Sequence, residues 1–144
     1  MTKIFDTVKA TLEEMGLHFR IEKDCMFCLG IQGENTNLDC TILCDDDQEI
    51  MIVSVSLPQK ANKKCIDRMC RWITDTNYTT VLGAFSMDTN DGEICFRISN
   101  TLDGGAINKK IIEAALTTAL STCDSKYPEI VKTIYMEYGE NAQD

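Results

Sequence analysis

Hydrophobic positions along the chain recur with two periods, and the switches between them divide it into elements. Ile4, Val8, Leu12 and Met15 recur at helical spacing with Phe5 beside them, and Lys3, Lys9, Glu13 and Glu14 fall elsewhere. Residues 3–16 therefore read as an amphipathic helix ended by Gly16. Leu17, Phe19 and Ile21 then alternate with His18, Arg20 and Glu22, the period of a half-buried strand. After a turn at Lys23-Asp24, the run Cys25–Ile31 is apolar on both faces, as in a strand inside a sheet. Gly33–Asn37 reads as a loop. Leu38, Cys40, Ile42 and Cys44 alternate with Asp39 and Thr41, giving a third strand. Beyond the acidic turn Asp45–Glu49, the segment Ile50–Leu57 is dense in Ile and Val until Pro58 stops it. Connections this short predict an antiparallel meander.

Helical spacing returns over residues 60–76, with Ile66, Met69, Cys70 and Ile73 on one side and Trp72 at its edge. Val81–Asp88 and Glu93–Asn100 read as strands around Thr89-Asn90-Asp91-Gly92, a hairpin signal. In the second arm Ile94, Phe96 and Ile98 face one way and Cys95, Arg97 and Ser99 the other. After a loop at Asp103-Gly104-Gly105, the series Ile107, Ile111, Ala115, Leu116, Ala119, Leu120, Cys123 marks a long helix. A further helix is expected to start around Pro128, with Ile130, Val131 and Ile134 buried. The order α-ββββ-α-ββ-α(α) predicts an α+β fold, an antiparallel sheet with helices covering one face. Nothing marks an internal boundary, so residues 1–144 are expected to form a single domain.

Composition narrows the function classes. The 144 residues are 44% hydrophobic and 26% charged, a globular balance. Acidic residues outnumber basic ones, 23 to 14, for a net charge of −9, which argues against a nucleic-acid binder. The start of the chain lacks the pattern of a signal peptide, and no run approaches the roughly 18 apolar residues of a membrane span. The expected location is the cytoplasm, with no membrane contact.

The eight cysteines are the compositional oddity. In a reducing compartment they read chiefly as small buried hydrophobes, Cys40 and Cys44 on one strand face, Cys65 and Cys70 on a helix, Cys123 in a helical stripe. Cys25-Met26-Phe27-Cys28 is a CxxC, but a strand pattern surrounds it rather than the helix start that lowers a redox thiol's pKa. Cys25, Cys28, Cys40 and Cys44 could in principle hold zinc, although Cys40 and Cys44 lack the polar turn of a zinc knuckle. Asp45–Glu49 lacks the glycine and distal Glu of a calcium loop and reads as a solvated turn. His18, the single histidine, falls on the polar side of its strand. No catalytic or cofactor-binding constellation emerges, so no enzyme and no cofactor are expected. Arg97 could pair with a carboxylate such as Asp88 or anchor an acidic partner, and Trp72 and Tyr78 bracket the end of the central helix.

One stretch carries a resemblance. Asn77, Leu82–Asp88 and Asp91–Arg97 resemble the "N…G-F-x-x-D…D-G-E-I-x-F-R" core of the YbjN-like family, described as bacterial sensory transduction regulators. The amphipathic start, the four-strand run and the late Tyr127-Pro128 follow the same pattern. The resemblance implies a fold similar to type III secretion chaperones: a helix-flanked antiparallel sheet, usually dimeric, that offers surfaces to a partner polypeptide. It implies no catalytic residue. The expectation is a non-enzymatic, chaperone-like or regulatory homodimer. It would bind a protein partner through an apolar helix or sheet-edge surface, with Met69, Trp72, Tyr78 and Arg97 as candidate contacts. The alternative is a thiol-redox or zinc protein using Cys25, Cys28, Cys40 and Cys44.

Overall fold

The computed structural model describes residues 3–102 and 107–136. Helix α1 (Lys3–Glu14) is followed by strands β1 (Arg20–Glu22), β2 (Met26–Gln32), β3 (Asn37–Asp45) and β4 (Ile50–Ser56). A short 3-10 turn leads into α2 (Ile66–Thr79), then β5 (Ala84–Met87), β6 (Ile94–Thr101) and α3 (Lys109–Tyr135). The fold is α+β, with six strands in the order β1-β2-β3-β4-β6-β5 and every neighbouring pair antiparallel. The expected loop at Asp103-Gly104-Gly105 lies outside the described residues.

Alternation along the strands decides which face is covered. Phe27, Leu38, Cys40, Ile42, Met51, Val53, Val55, Phe85, Ile94, Phe96 and Ile98 all point to one side and are buried there. All three helices contact the sheet and supply Ile4, Val8, Leu12, Met69, Ile112, Leu116 and Ile130 to the same core. Polar and small residues take the other side. Asp39, Arg97, Ser99, Ala84 and Ser86 are exposed there, around a half-buried row in which Met26 opposes Leu43 and Leu43 opposes Ile52.

Four elements differ from expectation. The central helix, expected over residues 60–76, runs from Ile66 to Thr79 after the 3-10 turn, and the strand expected from Val81 starts at Ala84. The first strand begins only at Arg20, leaving Leu17, His18 and Phe19 in the connection from α1. Leu17 and Phe19 still pack on the core, so their alternation reports burial rather than pairing. The late helix does not restart at Pro128. Instead, α3 runs unbroken through it. A proline has no N–H for the carbonyl four residues back. Here that carbonyl, on Asp124, accepts from the Asn35 side-chain amide at 2.9 Å. The Asp124 carboxylate also accepts from the backbone N–H groups of Glu34, Asn35 and Thr36 at 2.9–3.2 Å. The β2–β3 loop thus replaces the missing helix bond and binds α3 to the sheet.

Helix ends are held by distant side chains as well. The Ile4 N–H at the start of α1 donates to Asp46 at 3.0 Å. At the far end of α3, the Arg68 guanidinium on α2 donates to the carbonyls of Thr133, Ile134 and Met136 at 2.7–3.2 Å. A cation on those last carbonyls also opposes the negative end of the helix dipole.

Candidate functional site

The segment with the family-like residues builds the junction between α2 and the β5–β6 hairpin. Asn62 accepts from Lys64 N–H and starts the turn that leads into α2. Near the helix end, the Asn77 side chain donates to the Phe85 carbonyl and accepts from the Phe85 N–H, both at 2.9 Å. These are the groups that β5, an edge strand, turns away from β6. Gly83 has φ +81, and a Cβ there would press on Phe96 at 2.6 Å and Ile98 at 2.8 Å. Asp88 and Asp91 accept from backbone N–H groups in the hairpin turn. Gly92, also at φ +81, leaves room for the Ala61 backbone, whose N–H donates to the Gly92 carbonyl at 2.9 Å. Every one of these residues serves the backbone. These positions of the motif set the local fold.

The junction exposes three large hydrophobic side chains. Tyr78 is 91% exposed, Val81 94% and Leu82 56%, all within the last turn of α2 and the link to β5. Trp72 is half-buried and stands edge-on to Phe85, ring centres 5.2 Å apart, and Phe85 in turn stands edge-on to Phe96. Its other side borders grooves between α2 and α3, lined by Arg71, Asp75, Thr76, Lys126, Glu129 and Met136 among others.

The candidate contacts do not form one site. Trp72 and Tyr78 lie along α2 toward the exposed apolar junction. Met69 is fully buried and supports the helix from within the core. Arg97 emerges on the opposite, helix-free face, across from Ser54 and Ala84. Asp88 does not reach it. Asp88 sits at the hairpin turn beside Glu93, several positions along the strand, and Arg97 has no ion pair among the described residues. Val81 and Leu82 were missed by sequence reasoning because their β-forming character placed them inside a strand that starts only at Ala84.

The cysteines divide by face. Cys25 and Cys28 of the CxxC point to opposite sides of the sheet, Cys28 lying across from Arg20 and Thr41. Cys40 and Cys44 are in the core. Four sulfurs split in this way cannot converge on one metal, and no acidic, His or Cys cluster of metal-binding form occurs among the described residues. Burial pushes Cys40, Cys44 and Cys123 up to about 12, so each remains a neutral thiol. Cys70 is not in the apolar stripe of α2 but exposed. His18 is exposed, as alternation indicated.

No helix among the described residues is long and apolar enough to cross a membrane. No functionally curated protein matches the chain in sequence. Solved structures do match in fold. A chain of the ExsC–ExsE complex superposes with TM-score 0.64 at 13% identity, covering 88% of this chain and 94% of that one. YbjN from E. coli gives 0.63 at 10% identity, covering 90% and 96%. A chain of the HopA1–SchA chaperone–effector complex gives 0.57 at 10% identity, covering 86% and 91%. The profile of the family described as "Putative bacterial sensory transduction regulator" matches residues 5–132, and the chain belongs to this family, YbjN.

Proposed function

We propose that this protein is a non-enzymatic binding module that seats an apolar segment of a partner polypeptide at the α2–β5 junction. The observation that carries the reading is the exposure of Tyr78, Val81 and Leu82 on one short stretch, at 91%, 94% and 56%. Aromatic and aliphatic side chains so exposed serve as anchors when a partner covers them. The fold supports the reading, being similar to that of chains solved in the ExsC–ExsE complex and in the HopA1–SchA chaperone–effector complex. The net charge of −9 favours basic or amphipathic partners. In this reading the protein works in the cytoplasm as a homodimer.

Strand addition at β5 is not the favoured mode. Asn77 already occupies the outward N–H and C=O of Phe85, and the opposite edge, β1, is a charged strand of three residues. Short, charged or capped edges discourage pairing with another chain. Side chains at the junction therefore carry the binding.

The test compares wild type with the triple variant Tyr78→Ala, Val81→Ser, Leu82→Ser as immobilised baits. A partner kept by wild type and lost by the variant, with thermal unfolding unchanged, supports the reading. Equal retention by both baits would sink it.

A further inference from the structure

We propose that Cys25 and Cys44 are an oxidisable dithiol that closes to a cross-strand disulfide joining β2 to β3. The β2–β3 register pairs Met26 with Leu43, so the next pair outward is Cys25 with Cys44. The Cys44 N–H donates to the Cys25 carbonyl at 2.9 Å, which extends the ladder to that pair. Cys44 is on the core face with Cys40 and Ile42. Alternation from Phe27 puts Cys25 on the same face, and the two cysteines line one cavity of about 280 Å³ with Phe5. Directly opposed residues of an antiparallel pair have Cα atoms about 4.5–5.5 Å apart, within the range of about 4.4–6.8 Å that a disulfide spans. The inference does not rest on partner binding, and it replaces the CxxC pairing, which the strand splits across two faces.

The two thiols are inequivalent. Cys25 is half-buried in the turn after Lys23 and Asp24 and lines the cavity from there. Cys44 is 4% exposed, and burial, then Asp46 and Cys25, push it up to about 12. Cys25 therefore meets the oxidant first, and Cys44 resolves the product. With a small-molecule disulfide RSSR as oxidant, the Cys25 thiolate attacks one sulfur and expels RS⁻, leaving a Cys25–SR mixed disulfide. Cys44 then loses its proton and attacks the Cys25 sulfur, expelling the second RS⁻. Two protein thiols are oxidised by two electrons, and one RSSR is reduced to two RSH. The bridge would tie the β1–β2 turn to the segment whose Asp46 holds the first turn of α1.

The experiment treats the folded full-length protein with glutathione disulfide, blocks free thiols, and cleaves after glutamate. Cys25 then lies in peptide 23–34 and Cys44 in peptide 35–49, so the bridge links two peptides that fragmentation can map. The expected result is a Cys25–Cys44 link that is lost on dithiothreitol treatment, absent in Cys25→Ser and formed at the wild-type rate in Cys28→Ser. A Cys25–Cys28 bridge would overturn the proposal. So would a stable glutathione adduct on Cys25 with Cys44 free, or a link seen only in unfolded chain.

Discussion

The side-chain amide of Asn77 makes both outward main-chain hydrogen bonds of Phe85, donating to its carbonyl and accepting from its N–H. One residue thereby closes the middle of an edge strand and fixes the end of α2 against the sheet. Asn77→Ala should unpair both groups and cost about 1–3 kcal/mol, read by urea denaturation. Asn77→Asp should recover little of this. It still accepts from the N–H, but sets an acceptor against the carbonyl. Equal stability of Asn77→Ala and wild type would mean that water serves β5 as well as Asn77 does.

Three glycines at positive φ separate backbone strain from crowding. Gly16 has φ +72, and a Cβ added there would meet nothing within 4 Å, whereas a Cβ at Gly83 meets Phe96 and one at Gly92 runs into the Ala61 backbone. Gly16→Ala should cost only the left-handed penalty of about 1–2 kcal/mol. Gly92→Ala should cost clearly more, with Gly83→Ala between them, because the Phe96 ring can yield and the Ala61 carbonyl is fixed. Denaturation midpoints of the three variants give the ranking directly.

Pro128 and Asp124 make a paired prediction for α3. Pro128→Ala restores a helix N–H and removes a residue that costs up to about 3 kcal/mol in helix interiors, so it should stabilise the protein. Asp124→Ala removes the acceptor for three loop N–H groups and should destabilise it by about 2–3 kcal/mol. Hydrogen exchange at Glu34, Asn35 and Thr36 should accelerate in that variant and stay unchanged in Pro128→Ala.

The buried thiols predict a loss of stability in alkali. Cys40 and Cys123 are pushed up to about 12 when folded and relax to about 8.5–9 when the chain unfolds. A raised folded pKa gives stability that is complete below the unfolded pKa and lost as pH climbs toward the folded one. Each thiol should therefore lower stability by up to about 1.4 kcal/mol per pH unit between about pH 9 and 12. Under reducing conditions, Cys123→Ala should show a shallower decline than wild type over this window. A chromogenic disulfide should modify exposed Cys70 quickly and Cys40 and Cys123 only on unfolding.

Much of the fold was legible in period alone. The meander, the hairpin and the inward trio Ile94, Phe96, Ile98 follow from alternation, because one buried face fixes which residues point to it. Features that depend on distant partners were not legible. Pro128 reads locally as a helix start, and only Asn35, far away in sequence, lets α3 pass through it. Cys70 reads as part of an apolar stripe, yet its side of α2 faces solvent. The candidate site was half visible: Trp72 and Tyr78 stood out as aromatics, whereas the exposure of Val81 depends on where β5 starts. Met69 followed the helical period correctly, and that same period puts it in the core.

With the three helices of the described residues on one side of the sheet, the other side is free to change. Substitutions at Asp39, Ser86, Arg97 or Ser99 alter the outer surface without touching Phe27, Ile42 or Phe96 beneath. Such a scaffold can diverge widely in what it displays while its interior keeps the same geometry. Chains only 10–13% identical to this one share its fold. A library randomised on the outer face should therefore retain far more folded members than one randomised, at the same number of positions, on the inner face.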